Sequence, residues 1–319
     1  MTNLKNNFFE VKRPGIHSTF QDYGRKNLNH VGIPLSGAID NRNYILSNAL
    51  LNKNLDSAVI EFAYQGPLLK YNGKKMYGVI SGDVQFEIIN ENNDIIRGKP
   101  YEVFLIDDKY QIDIQSTNHS VYGYLSISEN FILDKNWGSI STNTKAKIGS
   151  NDGKKLSENQ KISIDYKNII SPFKKLNYIN SKIEYIRVIK ATNFDFFSEK
   201  AKNIFLSKEF KISKLSDRMG MRLEGHNLEN IVSTNIRSEG LTKGIVQVPS
   251  DGNPIIMLSD HGTIGGYPKI ASVISADFDR VAQITPGSSI KFKEVSLDEA
   301  EKLFNFYLLE TKNIISQIK

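Results

Sequence analysis

The stretch SDHGTIGGYPKI, residues 259–270, holds an acid, an imidazole, a hydroxyl, two adjacent glycines and a phenol. Asp260 and His261 are side chains that hold or move protons, and Thr263 and Tyr267 donate hydrogen bonds. Gly265 and Gly266 read as a source of backbone freedom. The flanks NPIIMLSD and KIASVIS read as buried strands, so the segment is either a tight turn with polar decoration or one wall of a site. Just upstream, SEGLTKGIVQVPSDGNP adds Glu239, Gln247 and Asp251 at strand ends, although PSDGNP is also good turn chemistry.

Two further stretches offer chemistry. RPGIHSTFQDYGRKNLNHVGIPLSGAIDNRN, residues 13–43, contains Asp22, Arg25, His30, Ser36, Gly37 and Asp40. Gly37 permits a turn that aims backbone N–H groups at an anion, Ser36 can donate to a carbonyl or carboxylate, and Asp40 can act as a base or hold an ammonium. The same residues also read as local structure, with Asp40 as a helix N-cap and Ser36–Gly37 as a turn. In SDRMGMRLEG, residues 216–225, Arg218 offers a planar fork for carboxylate or phosphate, or makes a surface pair with Asp217.

Several function classes are excluded by pattern. The chain has no G-x-x-x-x-G-K-[ST] loop, no G-x-G-x-x-G after a strand, no G-x-S-x-G elbow and no H-E-x-x-H. Its five histidines form no close metal-ligand pair, so no metal site is expected. The absence of cysteine removes thiolate chemistry and fits a reducing compartment. The formal charge of +6 comes from dispersed lysine, not a basic block, so no nucleic-acid partner is expected. No run has the length of a bilayer span, and the first residues lack a signal-peptide core, so the expected location is cytoplasmic and away from membranes.

The elements that must position these residues are mostly strands. FFEVK, AVIEFAY, MYGVIS, VQFEII, YEVFLI, QIDIQ and VYGYLSIS recur between turn signals such as YNGKK, NENND and STNHS. That spacing argues for barrels or sandwiches rather than alternating βα units. A helix capped by Asp40 runs through NRNYILSNALLNKN with Ile45, Ala49 and Leu50 on its apolar stripe. A second is expected over NFDFFSEKAKNIFL with Phe194, Phe197, Ala201 and Ile204 on one face, and a third from SLDEAEKL onward. Strands return at IEYIRVIK, FKISK, GIVQVP, IIMLS, IASVIS and SSIKFKEV. The weakly periodic text between 165 and 182 marks a boundary, giving an N-terminal β-barrel-like domain over 1–170 and a C-terminal domain over 171–319.

RPGIHSTFQDYGR, GIPLSGAIDNRN, LSDRMGMRLEG, GIVQVPSDGNPIIMLSD and GGYPKIASVISADFDRVAQITPGSSIKF occur in an order that resembles the allophanate hydrolase subunit 2, or biotin-dependent carboxyltransferase, family. The resemblance runs from about residue 8 to about residue 300. It implies a mainly β fold of tandem cyclophilin-like β-barrel domains with a few helices. It implies a subunit 1 (B-type) partner, an A-type partner, and a small amide or lactam substrate. For the 5-oxoprolinase branch it implies ATP-dependent opening of 5-oxo-L-proline to L-glutamate, with ATP bound in a site shared with the partners. The alternatives within the family are a carboxyltransferase component of a biotin-dependent urea or amide carboxylase and a non-catalytic antagonist of a kinase inhibitor. The chain has no M-K-M-type lysine, so biotin would have to arrive on another polypeptide.

At the matching positions the resemblance implies Ser36, Asp40 and Asp260 as catalytic groups. It implies Arg25, Gly37, Arg218, Gln247, Thr263, Gly265, Gly266 and Tyr267 as substrate or phosphate binders. The chain departs from the pattern in three places. WGSISTN stands where members often read GSRST, which puts Ile140 in place of an arginine. DHGTIGGYP puts His261 and Gly262 in place of Arg and Gln, and YLSISEN replaces YLAVAGG.

Overall fold

The computed structural model describes residues 7–171, 173–178, 183–233 and 235–318. Contacts divide the chain into two compact units, Met1–Gly24 with Asp40–Asn180 and Lys312–Lys319, and Arg25–Ile39 with Ser181–Thr311. The loop carrying Arg25, Ser36 and Gly37 therefore packs with the C-terminal half of the sequence. The boundary text at 165–182 lies partly outside the described residues.

The first unit contains β1 (Phe8–Arg13), β2 (His17–Gln21), α1 (Asn41–Leu50), β3 (Val59–Ala63), β4 (Leu68–Asn72), β5 (Met76–Ser81) and β6 (Val84–Ile89). It continues with β7 (Ile95–Arg97), β8 (Phe104–Ile106), β9 (Gln111–Thr117), β10 (Tyr122–Ile127), β11 (Asn130–Phe131) and β12 (Lys161–Asp165). They form a seven-stranded sheet, β11-β12-β1-β4-β9-β6-β7, and a five-stranded sheet, β2-β3-β10-β5-β8. Alternating residues of both sheets point into one core, with Phe9, Leu69, Phe86 and Ile112 from the first and Phe20, Phe62, Ile80 and Leu125 from the second. Each strand named from the sequence in this half forms.

The second unit contains β13 (Ile186–Lys190), α2 (Glu199–Ser207), β14 (Phe210–Ile212), β15 (Gly220–Glu224), β16 (Glu239–Gly240), β17 (Ile245–Gln247), β18 (Ile255–Met257) and β19 (Ile264–Gly265). It continues with β20 (Lys269–Val273), α3 (Phe278–Ala282), β21 (Ser289–Ile290), β22 (Phe292–Glu294) and most of α4 (Leu297–Ser316). Its eight-stranded sheet has the order β21-β14-β15-β18-β17-β20-β13-β22, and β16 and β19 form a separate two-stranded sheet among the described residues. The protein is thus mainly β with a few helices and barrel-like sheets.

Two helix expectations change on inspection. α1 has no single apolar stripe: Arg42, Asn43, Ser47 and Asn48 are buried alongside Tyr44, Leu46 and Leu50, while Ile45 is only half-buried. Its polar residues are satisfied internally, as where Asn48 Nδ2 donates to the Ser57 carbonyl at 2.9 Å and Ser126 Oγ donates to Asn48 Oδ1 at 2.7 Å. The second helix starts at Glu199, because Ser198 is its N-cap and accepts from the Ala201 amide at 3.1 Å. The preceding phenylalanines form a separate 3-10 turn, Phe194–Phe196. In α4 the Ser296 hydroxyl accepts from the Glu299 amide at 3.1 Å, the expected cap.

Candidate functional site

The second unit gathers most of the singled-out residues. Ser36 and Gly37 are consecutive left-handed residues, with φ of 55° and 84°. Glycine tolerates that region at no steric cost, but serine does not, so the surroundings must hold Ser36 there. They do so from several sides. The Ser36 amide donates to the Ser259 carbonyl at 3.0 Å, Arg218 Nη2 donates to the Gly37 carbonyl at 2.7 Å, and Lys243 Nζ donates to the Ile39 carbonyl at 2.9 Å. Arg25, fully buried, holds the start of the same loop through its amide, which donates to the Leu35 carbonyl at 2.7 Å.

Arg218 is oriented by Asp260. Its Nε reaches Oδ2 at 2.9 Å and its Nη2 reaches Oδ1 at 3.1 Å, and the Asp260 amide donates back to the Arg218 carbonyl at 2.9 Å. The side chains are 6% and 3% exposed, so this is a buried bidentate pair rather than a surface one. Asp217, next to Arg218 in sequence, also serves a local turn. Its Oδ1 accepts the Met219 amide at 2.8 Å. Asp251 likewise closes a turn by accepting the Asn253 amide at 3.0 Å.

His261 follows this pair and is buried. Its Nδ1 lies 2.6 Å from the Gly262 carbonyl. Burial holds its pKa below the ordinary imidazole value, partly opposed by that carbonyl and by Asp260. The ring is therefore neutral at pH 7, and a proton on Nδ1 leaves Nε2 as the basic nitrogen.

A second set surrounds Gly265–Tyr267. A β-bulge in the β17–β20 pairing lies at Val246/Gln247, and Gln247 then faces Lys269 across the ladder. Gln247 is buried, and its Nε2 donates to the Tyr267 carbonyl at 3.1 Å. Gly265 and Gly266 do not adopt left-handed φ, so backbone freedom is not why they are glycine. Space is the reason at Gly265: an added Cβ would sit 2.6 Å from Gln247 Nε2 and 2.8 Å from a Leu241 methyl. At Gly266 it would approach the Ile236 carbonyl to 3.2 Å. Thr263 contributes its carbonyl to the Leu241 amide at 2.9 Å, and Tyr267 is 40% exposed.

Asp40 belongs to the first unit and caps α1. Its Oδ1 accepts the Asn43 amide at 3.0 Å and its Oδ2 accepts Asn43 Nδ2 at 2.7 Å. Asp22 and the departure at Ile140 also have structural settings there. Asp22 accepts from Ser139 Oγ at 2.6 Å, Ser141 Oγ at 2.5 Å and the Ile140 amide at 2.9 Å, while the Ile140 side chain joins the apolar core.

Sequence reasoning passed over Lys243 and Lys269. Lysines are dispersed everywhere in this chain, and nothing local separates these from a solvated surface. Burial would have been the signal, and it emerges only on folding. Among the described residues, no group of three or more His, Cys, Asp or Glu could hold a metal ion, and no helix is long and apolar enough to cross a membrane.

The carboxyltransferase domain, subdomain A and B, family model matches residues 31–294. The C-type subunit of 5-oxoprolinase from Haemophilus influenzae is 31% identical over 316 residues, covering 94% of this chain and 96% of that protein. The Escherichia coli protein of the same name is 27% identical, covering 92% and 93%. The crystal structure of Kluyveromyces lactis urea carboxylase superposes with a TM-score of 0.87 at 23% identity, over 97% of this chain and 29% of that one, which establishes a shared fold. With a family model matched over most of its length and an end-to-end relative above 30% identity, the chain belongs to the carboxyltransferase domain A and B family.

Proposed function

We propose that this protein is the C-type subunit of an ATP-dependent 5-oxoprolinase, opening 5-oxo-L-proline to L-glutamate together with A- and B-type partners. The observation that carries the reading is the end-to-end match to the C-type subunit of 5-oxoprolinase, 94% of this chain against 96% of the relative. A lactam amide is a poor electrophile. Phosphorylating its oxygen opens the ring carbon to a first water, the ring C–N bond then breaks with a proton passing to the nitrogen to leave an acyl phosphate, and a second water releases phosphate and the carboxylate. Such a site needs donors for developing negative charge and a group that takes a proton from water.

In this reading Ser36 and the backbone at Gly37 donate to the amide or phosphate oxygens. The Arg218–Asp260 pair is the positioning element, because it fixes the Gly37 carbonyl. Arg218 takes both Asp260 oxygens, so Asp260 serves as cation holder and the neutral His261 is the better proton acceptor. Gln247 fixes the Gly265–Tyr267 segment as a second wall. ATP enters as co-substrate in a site completed by the partners. The test is reconstitution: the purified chain with its A- and B-type partners, 5-oxoproline and ATP should form glutamate, and leaving out this chain should stop it. No turnover in the full mixture, with a known 5-oxoprolinase working in parallel, rules the reading out.

A second reading, carboxyl transfer to an amide, draws on the fold shared with urea carboxylase. It requires a biotinylated carrier on another chain, so activity indifferent to avidin excludes it.

A further inference from the structure

Lys269 opens β20, and its side chain is 4% exposed. Its Nζ donates to Glu239 Oε2 at 2.6 Å, and that glutamate side chain is 46% exposed. The two partners are unequal. An exposed carboxylate gains little from a surface pair, whereas a buried ammonium without an anion carries a large desolvation cost. Glu239 therefore serves Lys269 more than Lys269 serves Glu239. The glutamate sits on β16, a two-residue strand tied to β19 apart from the main sheet. Lys269 sits opposite Gln247 in the β17–β20 ladder, and Gln247 touches the Gly265 backbone where a Cβ would not fit. A cation and a primary amide thus stand as cross-strand neighbours. That is the donor set for a planar carboxylate, with Glu239 occupying the place beside the cation.

We propose that Lys269 and Gln247 form a subsite for the carboxylate of a small-molecule ligand, and that Glu239 is an internal stand-in which the ligand displaces. The inference builds on the proposed function only in placing the Gly265–Tyr267 segment within the ligand site.

The experiment is a saturation-transfer NMR titration of the full chain with 5-oxo-L-proline, its carboxamide and acetate. It uses the native chain, Glu239→Gln and Lys269→Gln. Removing the competing charge should tighten both carboxylates by about 5-fold, because the open fraction of the subsite rises, and leave the neutral carboxamide unchanged. Lys269→Gln should erase the preference for carboxylate over carboxamide. Glu239→Gln keeps an oxygen acceptor for the buried Lys269 ammonium, so it keeps the test decisive if Lys269→Gln fails to fold. Unchanged or weaker carboxylate binding in Glu239→Gln overturns the proposal, as does equal tightening of the carboxamide or the absence of any carboxylate binding. If acetate responds as expected but 5-oxoproline does not bind, the subsite stands and the lactam reading falls.

Discussion

Two arginine–aspartate pairs in the second unit use the same chemistry for different ends. Asp277, with a fully buried side chain, accepts the Arg187 amide at 2.9 Å, Arg187 Nε at 3.0 Å and Arg187 Nη2, and Arg280 approaches it to 4.0 Å. Every one of those contacts ends on the same carboxylate. The Arg218–Asp260 pair differs in one respect: Arg218 also donates to the Gly37 carbonyl, 181 residues away in sequence. The first pair clamps β13 to the turn before α3. The second carries its rigidity onward to a left-handed loop. A buried ion pair becomes part of a site through what its remaining donors reach, not through its own strength.

The comparison can be broken most forcefully at Asp277. Asp277→Ala removes a fully buried carboxylate that accepts three Arg187 donors and leaves that part-buried guanidinium without its anion, which should cost about 3 kcal/mol in denaturant unfolding. A cost below about 1 kcal/mol would show that this clamp is not structural. Arg218→Lys should act on function instead. A lysine keeps the charge but cannot hold Asp260 and the Gly37 carbonyl with one planar fork. Glutamate formation in the reconstituted mixture should fall about 10²-fold, equivalent to about 2.7 kcal/mol, with a smaller stability loss than at Asp277. Equal losses of stability in the two variants would erase the distinction.

Gly265→Ala sharpens the picture of the second wall. The new methyl meets Gln247, so the expected cost is about 1–3 kcal/mol. Combining it with Gln247→Ala should return at least about 0.5 kcal/mol of it in a double-mutant cycle. Simple additivity would mean that the two residues do not press on each other. The smallest effect is expected at His261. Its folded pKa lies below its unfolded value, so the unfolded state binds the proton more readily. Its contribution to stability is complete above the ordinary imidazole pKa and is lost as pH falls through the depressed one. Thermal melts from pH 7 to pH 5 should therefore drop less steeply in His261→Gln than in the native chain.

The strands were legible because half-buried β-structure writes its alternation locally, as in VQFEII and QIDIQ. Caps were legible for the same reason, since Asp40 and Ser296 each act on an amide three residues on. α1 was legible as a helix but not as one buried on nearly every side, because polar side chains such as Asn48 meet partners as far off as Ser126 on β10. At Gly265 the residue was noticed for the wrong reason: a sequence suggests turn freedom, while only the neighbouring Gln247 shows that space is the constraint.

What the sequence determined alone is the set of elements and the identity of the chemical groups, because dihedral preference, capping and alternation operate over a few residues. Only the tertiary structure decided which groups meet. Arg218 meets Asp260, 42 residues on, Lys269 is covered by Glu239, 30 residues back, and the Ser36–Gly37 loop joins the C-terminal unit. Burial makes those choices. It sets the cost of leaving a charge unpaired, and burial is a property of the packed chain rather than of any stretch within it.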